Sequence, residues 1–257
     1  MPPNIQITAM AARSCCCRIL FRVSFLTGVA LTIAQAQPLD LAKRVATRET
    51  AAMEARQQYM YRQTVLIEEL SGKGGSKAGE YREIREVIFS PAGERTERMV
   101  GKPSNHLARL RLTEEDFRDI RDVQPFLFTA DQLWLYETKP RGEEVADGID
   151  CWLLQVRPRQ VHPGQRLFDG MFWVDKRDYS VVKSEGVAVP QILSRKEENL
   201  FPRFTTFREK VGEHWFPIQT YSNDELAFSS GPIRQKMIIR YEKYQRFGAE
   251  SSVTFTK

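Results

Sequence analysis

Cysteine and histidine are scarce in this 257-residue sequence, and acidic residues are missing from its leading segment. Three of the four cysteines, Cys15, Cys16 and Cys17, stand together near the start. Cys151 is then alone, so residues 37–257 can close no disulfide among themselves, and stability has to come from a core. A lone cysteine reads most simply as a buried, inert thiol. The histidines, His106, His162 and His214, are far apart, and none lies in an HExxH or HxH spacing or beside a cysteine. That excludes the usual zinc patterns. No GxSxG elbow is present, so nucleophilic catalysis has no motif behind it. Long apolar runs are missing too, and the mean hydropathy of −0.44 excludes a polytopic membrane protein. With 42% apolar and 28% charged residues the chain is neither collagen-like nor broadly disordered.

Residues 1–36 contain no Asp or Glu, while Arg13, Arg18 and Arg22 precede or interrupt an apolar run from Ile19 to Ala34. The run is shorter than the roughly 20 residues a membrane span needs, and it ends in Ala34-Gln35-Ala36. This pattern predicts a secretory signal peptide over 1–36, cleaved after Ala36. Cys15–Cys17 precede the apolar run, whereas a lipid-modified cysteine would follow it. Without the segment, 35 Lys and Arg face 33 acids. The net charge falls to +2, and the sequence pI of 9.0 then carries no argument for nucleic acid. Basic and acidic residues also alternate, in Tyr81–Glu86 and Glu94–Arg98, as cross-strand charge pairs on a wet face would.

Fifteen Phe, eight Tyr and four Trp suit strands more than helices. Leu39 to about Gln58 has no Gly or Pro, and Leu41, Val45 and Ala52 recur near helical spacing, which predicts one amphipathic helix. A second, shorter helix is predicted over Thr113–Val123, capped by Thr113 and ended by Pro125. The remainder alternates apolar and charged residues between turn residues, predicting nine to eleven antiparallel strands, among them Leu133–Tyr136, Ile149–Val156, Leu167–Val174 and Ile233–Phe247. Ser71-Gly-Lys-Gly-Gly-Ser-Lys77 reads as a hairpin turn, since Ala78 stands where a phosphate loop needs Ser or Thr and a strand pattern follows. The expected fold is α+β, mainly β. One strongly curved antiparallel sheet forms an open half-barrel over residues 37–257, with the helices covering its concave face and water on the other.

Several strands are apolar on both faces, and a curved sheet can line an apolar cavity with one of them. The candidate lining residues are Trp152, Leu154, Val156, Met171 and Trp173, with Met237 and Ile239 in the last strand. The acid pairs Glu114-Glu115 and Glu143-Glu144 leave a paired-carboxylate hydrolase open, because such pairs are set by distance in space.

Tyr59-Met-Tyr61, Gly148-Ile-Asp-Cys-Trp-Leu-Leu-Gln-Val156, Phe172-Trp-Val-Asp175 and Tyr179-Ser-Val-Val-Lys183 give the chain a resemblance to the outer-membrane lipoprotein-sorting proteins, LolA-like and related to RseB-like sensors. The resemblance runs over most of residues 39–247. It implies the half-barrel with helices plugging its concave side, a periplasmic location and acyl chains held between plug and sheet. Trp173 and Asp175 carry over as a strand-end and turn pair; no counterpart of a lid-locking arginine stands out. The expected function is a monomeric periplasmic carrier or sensor of a lipid or of lipoprotein acyl chains. It needs no catalytic residue, metal, cofactor or nucleic acid. An envelope protein-interaction or stress-sensing module without lipid, with membrane proteins as partners, is the alternative.

Overall fold

The computed structural model describes residues 37–71, 75–90, 92–162, 164–193 and 198–247, which belong to one compact unit. The expected signal peptide with its expected cleavage after Ala36, the cysteine run at 15–17 and the turn centre at 72–74 lie outside the described residues. Helix α1 is Leu41–Arg56, and strands β1 to β4 follow as Tyr59–Ser71, Ser76–Phe89, Arg95–Met99 and Ser104–Asn105. Next come α2, Glu114–Arg118, a π-helical turn Asp119–Val123 and a 3-10 turn Leu133–Leu135. Strands β5 to β8 are Tyr136–Ala146, Ile149–Pro158, Leu167–Asp175 and Val181–Val189. The short strands β9 and β10, Ile192–Leu193 and Glu198–Asn199, pair with each other. Strands β11 to β13 are Phe204–Val211, His214–Leu226 and Ile233–Arg246.

All the longer strands belong to one antiparallel sheet in the order β3-β2-β1-β13-β12-β11-β8-β7-β6-β5, with β4 also on β2. Strands β3 and β5 are its open edges. Eight strand steps separate β2 from β5, about 38 Å if the sheet were flat. Yet Phe117 packs on Tyr81 of β2, and Phe126, nine residues on, packs on Tyr136 of β5 at 5.6 Å. The nine mostly helical residue steps between them span roughly 14 Å, so the sheet curls around them. One cause of the bend is local. Gly170 of β7 faces Gly186 of β8, and a Cβ on either would lie 2.5–2.7 Å from the Phe168 ring, so the two glycines leave the room that ring occupies.

The helices form for local reasons. Leu41, Val45, Glu49 and Ala52 make one buried stripe along α1. Thr113 accepts from the amide of Asp116, whose carboxylate accepts from the Thr113 amide at 2.6 Å, a capping box that starts α2 where expected. Two expectations shift. Leu133–Leu135 is a helical turn rather than a strand, and β5 begins at Tyr136. Strand β5 has little apolar alternation to read; it is an edge protected by charge, Pro140 and an irregularity at Pro140/Gly142. The charge pairs in the β2–β3 region do form, Arg98 and Arg62 both meeting Glu86.

Candidate functional site

Register sorts the strand residues into two faces. Trp152, Leu154 and Val156 of β6 stand opposite Val174, Phe172 and Gly170 of β7, all on the concave side. Met237 and Ile239 of β13 join them there, and five of the seven candidate lining residues are thus 0–1% exposed in one core. The other two are elsewhere: Met171 and Trp173 pair with Gln155 and Leu153 on the convex side. There they form a second cluster with Cys151, Val182 and Trp215, so the convex face is not wholly given to water. Cys151 is buried in this cluster, and burial pushes its thiol up to about 11, as suits an inert residue. Asp175, one strand residue beyond Val174, is buried at the turn. Burial raises its carboxyl, but the Arg177 guanidinium and amide outweigh that and hold it below the usual range.

The concave cup is filled by the chain itself. Leu41, Val45 and Ala46 of α1 and the segment 107–128 press into it. Phe126 and Phe128, at the end of that segment, enter a ring of aromatics: Phe126 stacks on Phe168 at 5.5 Å and on Phe172 at 6.2 Å, and Phe128 meets Tyr136 edge-on at 5.6 Å. Among the described residues, a void beside Ile67, Leu110, Ile120, Phe201 and Met237 is about 10 Å³, room for a single water.

Polar groups fasten this plug to the sheet, and sequence reasoning missed them. Arg208 of β11 and Glu49 of α1 form a buried ion pair at 2.7 Å, their side chains 0% and 1% exposed. Arg208 also donates to the carbonyl of Phe126. Two residues earlier on the same face, Thr206 Oγ1 donates to the carbonyl of Gln124 at 2.8 Å. Glu69 of β1 accepts the amides of Ala108, Arg109 and Leu110 at 2.8–3.0 Å. Arg166, before β7, grips both oxygens of Asp119. Asn199 donates to Thr113 and to Asp116 at 2.9 and 3.0 Å. Burial pushes the carboxyls of Asp116 and Asp119 above their ordinary range, against the pull of these partners. Strand parity points to one of these: Phe204, Thr206 and Arg208 share the inner face, which seats an arginine among apolar side chains. Glu49 likewise continues the stripe of Leu41 and Val45.

The remaining candidates for chemistry stay separate. His106 and His162 are exposed, and His214 is stacked on Phe216. Glu143 meets Lys176 on the exposed edge, and Glu114 and Glu115 lie in the first turn of α2. Among the described residues no three His, Cys, Asp or Glu side chains gather as metal ligands, and no helix is long and apolar enough to cross a membrane.

No family model and no curated protein matches the chain. Solved structures do. A DUF1329 family protein from Desulfovibrio piger matches at 16% identity and a TM-score of 0.35, over 80% of this chain and 95% of its own. An outer membrane lipoprotein-sorting protein domain from Vibrio parahaemolyticus matches at 10% and 0.36, over 82% and 95%. A LolA superfamily protein from Nitrosomonas europaea matches at 14% and 0.35, over 79% and 94%. TM-scores this low fix neither fold nor function, and the architecture above rests on the sheet's own register. The lipoprotein-sorting and LolA descriptions are those of the group that this sequence resembles.

Proposed function

We propose that this is an exported periplasmic protein, cleaved after Ala36, that binds a lipid or the acyl chains of a lipoprotein in the concave cup without catalysing a reaction. The observation that carries the reading is the plug: an apolar tip, Phe126 and Phe128, seated in an aromatic cup and fastened by separate polar contacts. Such a tip is exchangeable for another apolar group. Burying two phenylalanines is worth about 3–6 kcal/mol, whereas a dozen methylenes at about 0.8 kcal/mol each approach 10 kcal/mol. An acyl chain therefore has the driving force to displace the tip and offset some of the broken polar contacts. Loading requires the tip that carries Phe126 and Phe128 to swing out, and release is its return. Trp152, Leu154, Val156, Met237 and Ile239 would then line the chain's path; Met171 and Trp173, on the other face, would not.

The test is retention of lipid by delipidated protein. Native mass spectrometry after incubation with palmitate, phosphatidylglycerol vesicles or a lipidated peptide is expected to show one bound lipid per monomer with at least one of the three. Failure to retain any of the three contradicts the reading. The small void favours a second reading, an interaction module whose cup stays filled. It predicts capture of an envelope membrane protein by a chain that never takes up lipid.

A further inference from the structure

We infer that Arg208 makes the cup selective for chains bearing a carbonyl, so that its occupant is an acyl ester and not an alkyl chain; this rests on the lipid-binding reading above. The plug residue Phe126 describes the guest it would yield to. Its ring lies on Phe168 and Phe172, while its own carbonyl accepts a hydrogen bond from Arg208 Nη2. An oxygen acceptor at the guanidinium, with an apolar group running from it into the aromatic cup, is the polarity of the first atoms of an acyl group.

Three further features support an ester. Arg208 is 4% exposed and its Nε–H has no hydrogen-bond partner among the described residues, so the guanidinium has a donor to spare for a second oxygen. Its charge is already matched by Glu49 at 2.7 Å, so the site is neutral and a free carboxylate would bring an unmatched charge into a buried place. Thr206, on the same face of β11, holds a second plug carbonyl, that of Gln124. If Gln124–Phe126 withdraws and an alkyl chain enters, Thr206 can turn to Thr220 Oγ1 at 2.8 Å, but the Arg208 Nη2 donor stays buried without its carbonyl. An acyl carbonyl restores at least the charged hydrogen bond, which is the stronger one to lose.

The direct test compares two lipids that differ only in that carbonyl, 1-palmitoyl-lysophosphatidylcholine and 1-O-hexadecyl-lysophosphatidylcholine, titrated below their micelle concentrations. The ester is expected to bind about tenfold or more tightly than the ether. Equal affinity overturns this inference and leaves the lipid reading standing; no binding of either overturns both. The double variant E49L/R208M, which removes both buried charges together, is expected to bind the two lipids equally, and a preserved ester preference in it would show that Arg208 is not the reader. Should that variant not fold, the infrared carbonyl band of a ¹³C-labelled ester on the wild-type chain decides. A shift to lower wavenumber on binding is expected, and a band at its free position contradicts the proposal.

Discussion

Strands β6 to β8 are apolar on both faces, and the two faces are finished in different ways. On the concave side Phe168 and Phe172 are covered by a separate stretch of chain that carries buried charges to fixed partners, while Lys176 Nζ sits 4.4 Å from the Trp152 ring centre. On the convex side Leu153, Trp173 and Val182 form a cluster made of strand residues alone. Lysines dress it: Lys183 Nζ sits 4.0 Å from the Trp173 ring centre and Lys210 Nζ 5.8 Å from that of Trp215. Long basic side chains can shield apolar surface while their heads stay wet. The lesson is that apolar area alone does not mark a binding face. The concave face is distinguished by a cover that puts apolar side chains into the cup at its tip and is held by directional contacts, some of them to the tip's own carbonyls.

The largest way to break the contrast is Arg208→Ala, which strands Glu49 in the core and is expected to cost about 3–5 kcal/mol in urea denaturation. E49L/R208M should recover most of that loss. Phe128→Ala, removing a side chain 0% exposed, is expected to cost about 3 kcal/mol. Gly186→Ala would drive a Cβ against the Phe168 ring and the facing backbone, with an expected loss of about 1–3 kcal/mol. Lys183→Ala, on the convex side, should cost only about 0.5–1 kcal/mol. A convex substitution as damaging as the concave ones would erase the distinction between the faces.

The titration of two carboxyls sharpens the contrast further. Asp175 is held below its unfolded value of about 3.9, so its contribution is present above that pH and is lost as pH falls through the depressed folded value. Asp116, within the plug, is raised by burial, so the folded chain binds its proton more tightly and stability falls as pH rises through that folded value. Urea midpoints from pH 3 to 7 should therefore lose part of their acid-side slope in Asp175→Asn and part of their decline above pH 4 in Asp116→Asn.

Much of the fold was legible because long alternating strands and a capped helix announce themselves locally. Thr113, Pro125 and the stripe of α1 set their elements as their residue types require. Strand β5 was not legible, since an exposed edge has no apolar period to reveal it. For the site, Trp152, Leu154 and Val156 could be placed together by parity, but the expectation that Met171 and Trp173 line the same cavity put them on the wrong face. Which parity of β7 faces inward is fixed by its register with β6, a contact between strands. The Arg208–Glu49 pair, 159 residues apart in sequence, lay further out of reach, because no local signal joins an inward arginine to an inward glutamate.

Hydrogen exchange of the protein with and without 1-palmitoyl-lysophosphatidylcholine tests the central claim most directly. If the lipid takes the place of the plug tip, amides of the tip around Phe126 and Phe128 should exchange faster in the complex while those of β6 to β8 stay protected. A complex in which the tip keeps its protection, or in which only the Trp173 face changes, would mean that the concave cup is not where the guest is held.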